Sequence, residues 1–460
     1  MPNSFYREMP SADRMEEVDV VVIGAGFAGL AAAERLMAAD RRVVVLEASD
    51  RVGGRARTDY RLARGTPLEL GAQMVHGRDA VTHSWIAREG FHTHPLLVTQ
   101  RSRIVVGRRI ASYPWMALPF HPVAGTRAVY DGFVRLPRQV DAAGPPDRSV
   151  DKFLGERRVH PVARLIFSNL YAHVYAADPE TIGILGTAEE YRVAKEPYGF
   201  RNFRLIEGYS ALVDRVVARL EERIRRNHEV TEVHVTSSGV RVRVKGPEGT
   251  TAEFRVAGVI VTVPLGVLKA GSIVFDPPLP PEKLAAIDRI AFGDVYALQL
   301  RVQNGTMRRH LGDFGIVWGG TPSAFYRPRV GLGEKTEVVT AFTVGREARR
   351  RAALSDDELV SVTVAEWKEV LPTNVSLGEV EGFVVHRWPT DPWVRGGYSF
   401  LPPGVGLAER RALASPVGDR LFFAGEATDV AGQSGTVPGA IETGTRAAEE
   451  CLAALKKAVV

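Results

Sequence analysis

Apolar runs and glycine turns alternate in a regular order over the first fifty residues. Val18–Ile23 is almost continuously apolar, which is typical of a parallel strand buried on both faces. A glycine turn follows, and then Gly29–Ala39, whose Ala and Leu content without a breaker predicts a helix. A second apolar run, Val43–Glu47, comes after three charged residues. We therefore predict one parallel strand–helix–strand unit near the start of the chain.

The middle of the chain has a different character. From about residue 76 to residue 204, aromatic, proline and arginine residues are frequent, and helical patterns such as Val162–Tyr175 alternate with irregular stretches. A helical segment, Ser210–Arg226, then precedes two alternating segments, Glu229–Val235 and Gly239–Lys245, which are joined by a serine–glycine turn. The two alternating segments predict a β-hairpin.

Strand patterns continue in the second half of the chain. Val256–Val263 is an apolar run that ends at a proline, and Val295–Val302 alternates with period two. After a region of strands and helices in mixed order, the chain ends in a second glycine-rich strand–turn–helix pattern. The simplest architecture is two interleaved domains, each assembled from separate stretches of chain, with the active site between them.

Composition and charge argue against several classes of function. The 460 residues include 59 Lys+Arg against 54 Asp+Glu, and the basic residues are scattered, so nucleic-acid binding is not indicated. The single cysteine, Cys451, excludes an internal disulfide and a cysteine-based metal cluster, and we expect no metal site. No segment reaches the roughly 20 apolar residues that a bilayer span needs, and the first residues are polar. We expect a cytoplasmic protein without membrane contact.

The first glycine turn has the spacing of a dinucleotide-binding site. Gly24, Gly26 and Gly29 form a G-x-G-x-x-G pattern, with Ala28 inside it, between a predicted strand and a predicted helix. The first glycine permits a tight turn, the second lets the backbone approach a pyrophosphate, and the third lets helix and strand pack closely. The helix N-terminus then faces the anion. Glu47 ends the second strand, where a carboxylate accepts hydrogen bonds from an adenosine ribose.

Two further segments resemble the flavin-containing amine oxidases. Residues 50–58 hold a second glycine pair followed by arginine, which is similar to the family's FAD-binding extension, and Arg55 can pair there with the FAD pyrophosphate. Residues 421–444 are similar to the family's C-terminal flavin signature. This resemblance implies that Glu426 contacts the ribityl chain. It also implies that backbone amides near Thr436 and Val437 face the flavin pyrimidine edge, where the helix dipole stabilises negative charge.

Other matches to the same family are spread from about residue 18 to residue 450 and are thinnest between residues 76 and 204. Glu69–Gly77 resembles the polyamine oxidase segment that runs under the flavin and into the substrate cavity. Arg387–Phe400 resembles the stretch that brings aromatic residues against the isoalloxazine. Beyond the first turn and Glu47, the FAD-binding residues that the resemblance implies are Gly54, Arg55, Gly71, Ala72, Gln73, Met74, Val230, Gly425, Glu426, Thr436 and Val437.

The resemblance implies an α/β fold in which a Rossmann-like FAD-binding domain is interleaved with an α+β substrate domain built on a mixed sheet. We assign residues 1–75, 205–270 and 395–460 to the FAD-binding domain. Residues 76–204 and 271–394 form the substrate-binding domain in this assignment.

The chain departs from the family at two places. Many members carry a lysine that is linked through a water to flavin N5, and the corresponding residue here is Ala297, which argues against fast reoxidation by oxygen. Monoamine oxidases attach FAD through a cysteine near the aromatic stretch, and Arg395–Phe400 contains none. We therefore expect FAD to be bound noncovalently.

Aromatic and polar residues in these segments are candidates for the substrate side of the site. Trp388 and Tyr398 are expected beside the flavin, where aromatic faces can steer an amine and favour its developing iminium charge; core packing is the alternative for both. His76 lies where polyamine oxidases place a polar substrate contact. It either binds or deprotonates the nitrogen, or it is a hydrogen-bonded structural histidine.

Three weaker candidates complete the set. Glu69 precedes Gly71 in the polyamine oxidase-like segment, and it either reaches the cavity or has a surface or flavin-supporting role. Tyr191 and Arg201 lie in the stretch that is least like the family, and both are candidates for the wall of a substrate pocket.

These features predict an FAD-dependent oxidoreductase that oxidises a C–N bond, amine to imine, by hydride transfer to flavin N5, with oxygen as the expected acceptor. The expected partners are a small-molecule amine or amide and molecular oxygen, and a homodimer stays open. One alternative is oxidation of an unusual amine or amide in secondary metabolism, as in the lankacidin-forming enzyme of this family. The others are an FAD-dependent desaturase or dehydrogenase and a flavin-binding partner protein without turnover, which only Ala297 supports.

Overall fold

The computed structural model describes residues 18–96, 103–106, 109–112, 131–194, 202–303, 316–318, 323–328, 336–370 and 378–457. The strands within these ranges are β1 (Val20–Ile23), β2 (Val43–Leu46), β3 (Thr58–Asp59), β4 (Leu68–Glu69), β5 (Val75–His76), β6 (Thr93–Pro95), β7 (Arg103–Val106), β8 (Arg109–Ser112), β9 (Asn202–Leu205), β10 (Ile224–Arg225), β11 (Glu229–Thr236), β12 (Gly239–Lys245), β13 (Thr251–Val256), β14 (Gly258–Val261), β15 (Val274–Asp276), β16 (Ala291–Phe292), β17 (Val295–Val302), β18 (Ile316–Trp318), β19 (Ser323–Tyr326), β20 (Glu337–Val344), β21 (Val380–His386), β22 (Ser399–Phe400) and β23 (Leu421–Phe423).

Helices connect these strands and cover them. The α-helices are α1 (Phe27–Met37), α2 (Val81–Arg88), α3 (Leu136–Asp141), α4 (Val150–Gly155), α5 (Pro161–Tyr175), α6 (Ile184–Val193), α7 (Tyr209–Leu220), α8 (Leu265–Lys269), α9 (Pro281–Arg289), α10 (Gly345–Arg351), α11 (Asp356–Val370), α12 (Leu407–Ala414) and α13 (Val437–Lys457). Shorter helical turns lie at Asp131–Arg135, Glu221–Arg223, Pro247–Gly249, Trp388–Thr390 and Glu426–Thr428.

A five-stranded parallel sheet forms the first core. Its strand order is β10-β2-β1-β14-β23, and every pairing in it is parallel. The apolar side chains of β1 divide between two clusters: Val20 and Val22 pack with α1 and α13 on one face, and Val21 and Ile23 pack with the hairpin strands on the other. Burial on both faces is the reason why these strands are continuously apolar.

A second five-stranded sheet has the order β18-β19-β20-β17-β21, and its pairings are antiparallel. On one face of β17, Leu298 and Leu300 pack in a cluster with Trp367 of α11, whose ring centroid lies 4.4 Å from that of Phe325. Ala297 precedes Leu298 in β17, so its side chain points to the opposite face of the sheet, where it lines a large cavity. The sheet therefore supplies one wall of that cavity.

The predicted α/β fold class is confirmed, and several element bounds agree closely with the sequence pattern. Val295–Val302 is one strand, and Glu229–Thr236 pairs with Gly239–Lys245 as a hairpin. The four-stranded sheet, of order β13-β12-β11-β15, is mixed, because β11 and β15 are parallel and its other pairs are antiparallel. The five-stranded sheet around β17 is antiparallel throughout. The assignment of residue ranges to two domains stays a prediction.

Within the described ranges, no helix is both long enough and apolar enough to cross a membrane. The same part of the chain holds no group of three or more His, Cys, Asp or Glu side chains arranged to bind a metal ion.

Candidate flavin and substrate site

Two glycine turns lie against each other at the end of the parallel sheet. Gly24, with φ of +102°, turns the chain out of β1, and a Cβ on Gly29 would lie only 1.9 Å from the Gly24 carbonyl oxygen. Gly54, with φ of +56°, comes so close to Gly26 that a Cβ on it would lie 3.3 Å from the Gly26 Cα. The missing side chains leave backbone facing the cavity at the N-terminus of α1, which is the arrangement that holds a pyrophosphate.

A buried carboxylate stands at the end of β2. Glu47 lines the cavity and is 8% exposed. Its Oε2 accepts a hydrogen bond from the Ala25 amide at 2.8 Å, and its Oε1 accepts from the amide and hydroxyl of Ser49, each at 2.9 Å. The position after the second strand is where a dinucleotide ribose is bound. Val230, at the start of the hairpin, lines the same part of the cavity.

Glu426 is the centre of a hydrogen-bond network on the other side of the cavity. It accepts from Arg55 Nη1 at 2.8 Å, from Ser399 Oγ at 2.7 Å and from the Gly435 amide at 2.8 Å. Burial opposes its charge, but the Arg55 guanidinium and the Ser399 hydroxyl outweigh burial and hold the pKa of Glu426 below its ordinary value. Arg55 Nη1 also donates to the Gly397 carbonyl at 2.8 Å, so two acceptors of the protein hold one nitrogen of a guanidinium that carries five N–H donors in all.

The long C-terminal helix points its N-terminus at the cavity. Thr436 and Val437, at the start of α13, line the cavity, and the Thr436 hydroxyl caps the turn by donating to the Gln433 carbonyl at 2.6 Å. The first amides of a helix have no partner within the helix and carry its positive end. A group that becomes negative beside them is stabilised.

These residues fit FAD. The glycine turns, the carboxylate after β2, the Arg55–Glu426 pair and the α13 N-terminus all border one cavity of about 1700 Å³. The cysteine of the chain, Cys451, is buried in α13 with its Sγ 3.1 Å from the position of a Cβ on Gly258, away from the cavity lining. The single cysteine therefore cannot carry a covalent link to FAD, as expected for noncovalently bound FAD.

Two aromatic rings form part of the cavity wall beyond the cofactor segments. Trp388 is 2% exposed, and its indole N–H donates to the Leu70 carbonyl at 2.7 Å. The Tyr398 hydroxyl donates to the His173 carbonyl at 2.7 Å. Both polar ends are bound to backbone, which orients each ring, and both residues line the cavity. Their place beside the flavin stays a prediction.

The remaining predicted residues divide between the cavity and the scaffold. His76 and Tyr191 line the cavity, as do Gly71, Ala72, Gln73, Met74 and Gly425. His76 Nδ1 lies 2.9 Å from Asn202 Oδ1, and burial lowers the pKa of His76, so its imidazole is neutral at neutral pH. Arg201 lies outside the described residues.

Two predicted residues act through packing and do not line the cavity. Glu69 is 8% exposed and accepts from the Thr58 hydroxyl at 2.8 Å and the Tyr209 amide at 2.9 Å, so it ties β4 to the start of α7. Gly29 lies behind the first turn, against the Gly24 carbonyl. A scaffold role explains both positions without contact to a substrate.

Sequence reasoning missed many residues that line the cavity outside the cofactor segments, among them Asp141, Arg204, Tyr326, Arg327 and Phe342. They come from the region that resembles the family least and from β19, the residue after it and β20, where no motif marks them. Tyr326 donates to Gln73 Oε1 across the two halves of the chain. The one local signal is Arg327, a charge placed directly after the apolar strand Ser323–Tyr326.

Comparisons with known proteins agree with this geometry. A family model described as flavin containing amine oxidoreductase matches residues 27–452. Polyamine oxidase 4 of Oryza sativa subsp. japonica is 30% identical, over 94% of this chain and 88% of the relative. The flavin-containing amine oxidase B of Canis lupus familiaris is 27% identical, over 95% of this chain and 87% of the relative.

Solved structures share the fold. Cyclohexylamine oxidase from Brevibacterium oxydans IH-35A superposes with a TM-score of 0.80 at 21% identity, over 96% of this chain and 100% of that chain. Putrescine oxidase bound to putrescine gives 0.78 at 23% identity, over 95% and 99%. With a family model that matches nearly the whole chain, the conclusion is direct: the protein belongs to the flavin-containing amine oxidoreductase family and is an FAD-dependent oxidoreductase that acts on C–N bonds.

Proposed function

We propose that the protein oxidises an amine to an imine by hydride transfer, with molecular oxygen as the electron acceptor. One observation carries the proposal: a single cavity of about 1700 Å³ runs from the glycine turns to the rings of Trp388 and Tyr398. A substrate in this cavity is held beside the flavin and away from bulk water, which is what direct hydride transfer needs.

The protein's own residues orient the substrate and keep its nitrogen neutral. The faces of Trp388 and Tyr398 favour the positive charge that develops as the C–H bond breaks. Desolvation lowers the pKa of the partly buried His76 and so favours its neutral form, which can accept a hydrogen bond or a proton from the amine nitrogen. FAD held by the glycine turns and the Arg55–Glu426 pair would supply the hydride acceptor, and its reoxidation by oxygen would give hydrogen peroxide.

The wall formed by β17 and β20 is apolar, which bears on the oxygen step. Ala297 is 1% exposed and lines the cavity, with Phe342 opposite it on β20. Among the described residues that line the cavity there is no lysine. Within this described lining, the side chains that can carry a positive charge beside the flavin are arginines and histidines.

The first experiment is anaerobic reduction of the purified, FAD-loaded protein. A panel of amines, polyamines, amino acids and amides is added while the flavin absorbance is followed, and air is then admitted. We expect bleaching by an amine and recovery in air with formation of hydrogen peroxide. Bleaching without recovery would leave amine oxidation standing and replace oxygen by another acceptor. If no compound of the panel bleaches the flavin, the proposal that the protein oxidises a simple amine is wrong.

A second candidate, oxidation of an unusual amine or amide in secondary metabolism, has one specific observation in its favour. The residues of the substrate wall that are hydrogen-bond donors, above all Arg204 and Arg327, suit a substrate with carbonyl or acidic oxygens. Bleaching by an amide but by no simple amine would favour this candidate.

A further inference from the structure

A three-stranded sheet presents a row of polar side chains to the cavity. In this sheet, of order β5-β9-β6, His76 pairs with Asn202 and His94 pairs with Arg204. Residues two apart on a strand share a face, so Asn202 and Arg204 point the same way and their cross-strand partners point with them. All four residues line the cavity.

A second arginine lies on the neighbouring wall. Tyr326 ends β19 and Arg327 follows it directly, and both line the cavity. The Arg204 guanidinium carbon lies 5.9 Å from the centroid of the Tyr326 ring. Arg204 is 8% exposed and Arg327 is 2% exposed. Two buried arginines therefore line this cavity, one packed against the Tyr326 ring and the other next to Tyr326 in the chain.

Buried cations at a ligand-binding wall select for negative charge. A guanidinium is always protonated and carries five N–H donors, so each arginine can hold an acceptor of the protein and still offer a donor to a ligand. Apart from the cofactor segments, with Glu229 and Val230 counted among them, and apart from the aromatic stretch, the described lining has four arginines, Arg78, Arg138, Arg204 and Arg327, and one carboxylate, Asp141. A substrate with a second positive charge would be repelled by most of this wall.

We propose that Arg204 and Arg327 bind a carboxylate of the substrate, so that the amine oxidised by this protein also carries a carboxylate group. The inference rests on the proposed oxidation of an amine and names the class of amine. It sets this chain apart from the polyamine and putrescine oxidases that it resembles, whose printed names refer to cationic substrates without an acidic group. The planar fork of a guanidinium matches the two oxygens of a carboxylate, which an ammonium group does not.

The test is a binding titration that needs no turnover. Benzoate and its neutral isostere benzamide are titrated into the oxidised, FAD-loaded protein, and the visible flavin spectrum reports occupancy. We expect benzoate to bind more tightly than benzamide. Arg204→Met and Arg327→Met should each raise the Kd of benzoate about 10- to 100-fold and leave that of benzamide nearly unchanged, because a hydrogen bond to a charged group is lost.

Two further variants serve as controls for a general loss of positive charge and for the geometry of the guanidinium. Arg138→Met removes an exposed arginine from the same cavity and should leave the benzoate Kd unchanged. Arg204→Lys keeps the charge but loses the fork, so its Kd should lie between those of the wild type and Arg204→Met. FAD content and Tm of each variant establish that it is folded. Absent benzoate binding, or equal Kd values in the wild type and both methionine variants, overturns the proposal.

A comparison of three substrates distinguishes failure of the carboxylate proposal from failure of the proposed amine oxidation. Phenylalanine, 2-phenylethylamine and putrescine are compared as anaerobic reductants of the flavin. If putrescine is the best of the three and Asp141→Asn slows its reaction, the wall selects dications and the carboxylate proposal is wrong, although amine oxidation stands. If no amine reduces the flavin but the benzoate titrations behave as expected, the carboxylate site stands and amine oxidation is wrong.

Discussion

Replacement of Arg410 by methionine is expected to destabilise the protein strongly. Arg410 has no exposed surface, and its guanidinium donates to Glu190 Oε1 at 2.6 Å and to Ser399 Oγ at 2.8 Å. Glu190 is 1% exposed, so loss of the guanidinium leaves a carboxylate buried without its counter-charge. Removal of one partner of a buried ion pair costs about 3–5 kcal/mol. The same guanidinium also bridges α6 of the cavity wall to the Ser399–Glu426 network beside the flavin.

The expected effect on thermal unfolding follows from the size of the chain. An unfolding entropy of about 2 cal/mol/K per residue, over a chain of this length, corresponds to roughly 1 kcal/mol per degree, so the Tm of Arg410→Met should fall by about 3–5 °C. The assay is circular dichroism during heating, with the same excess of FAD in every sample because bound ligand raises Tm. Arg350→Met is the matched control, since Arg350 pairs with Glu347 on the exposed surface and its Tm should not change.

A double variant tests the reason for the effect. When Glu190 and Arg410 are both replaced by methionine, no buried charge is left unpaired, and the double variant should be more stable than the sum of the two single changes predicts. The reasoning is refuted if Arg410→Met lowers Tm no more than Arg350→Met does, or if the two single effects add in the double variant.

Three further changes test the first glycine turn at Gly29, the loop before α13 at Asp429 and the aromatic ring of Trp388. Gly29→Ala places a Cβ 1.9 Å from the Gly24 carbonyl oxygen, so the turn must open and the Kd for FAD, measured by flavin fluorescence, should rise at least about tenfold; an unchanged Kd would contradict this. Burial raises the pKa of Asp429 to about 6, so the folded state favours its neutral form and this group makes the protein less stable as pH rises from about 4 to 6. Asp429→Asn keeps an acceptor oxygen, and its Tm should equal that of the wild type at pH 4 and exceed it at pH 7.5; parallel Tm curves would exclude this origin. Trp388→Phe leaves the buried Leu70 carbonyl without its donor, which costs about 1–3 kcal/mol and should lower Tm while FAD content stays constant; loss of FAD instead would assign the indole a direct role in cofactor binding.

The elements that local sequence determines were predicted closely. The second hairpin strand, Gly239–Lys245, and the central strand Val295–Val302 have the bounds that their alternation indicates. The glycine turns could also be located from the sequence. A positive φ at Gly24 and a close backbone approach at Gly29 exclude other residues, and this requirement does not depend on the tertiary structure of the rest of the chain. These features depend on a few neighbouring residues, so a single sequence contains their cause.

The faces of those elements depended on distant parts of the chain. Val295–Val302 alternates as a half-buried strand would, yet all but one of its residues are buried, because β20 and β21 flank it and α11 covers one side. Glu69 lies in a segment that resembles a cavity wall, but the hydroxyl of Thr58 and the amide of Tyr209 hold its carboxylate in the scaffold. The direction of a side chain is decided by the partners that reach it.

The sequence by itself determined the cofactor of this protein, because FAD is held by glycine turns and helix ends whose spacing is local. The substrate wall was decided only by tertiary structure. Arg204 and Tyr326 are far apart in the chain and meet where two sheets border one cavity, and Tyr326 binds Gln73 of a third segment. No spacing within one segment records such a meeting, since long-range packing of separate sheets brings these side chains together.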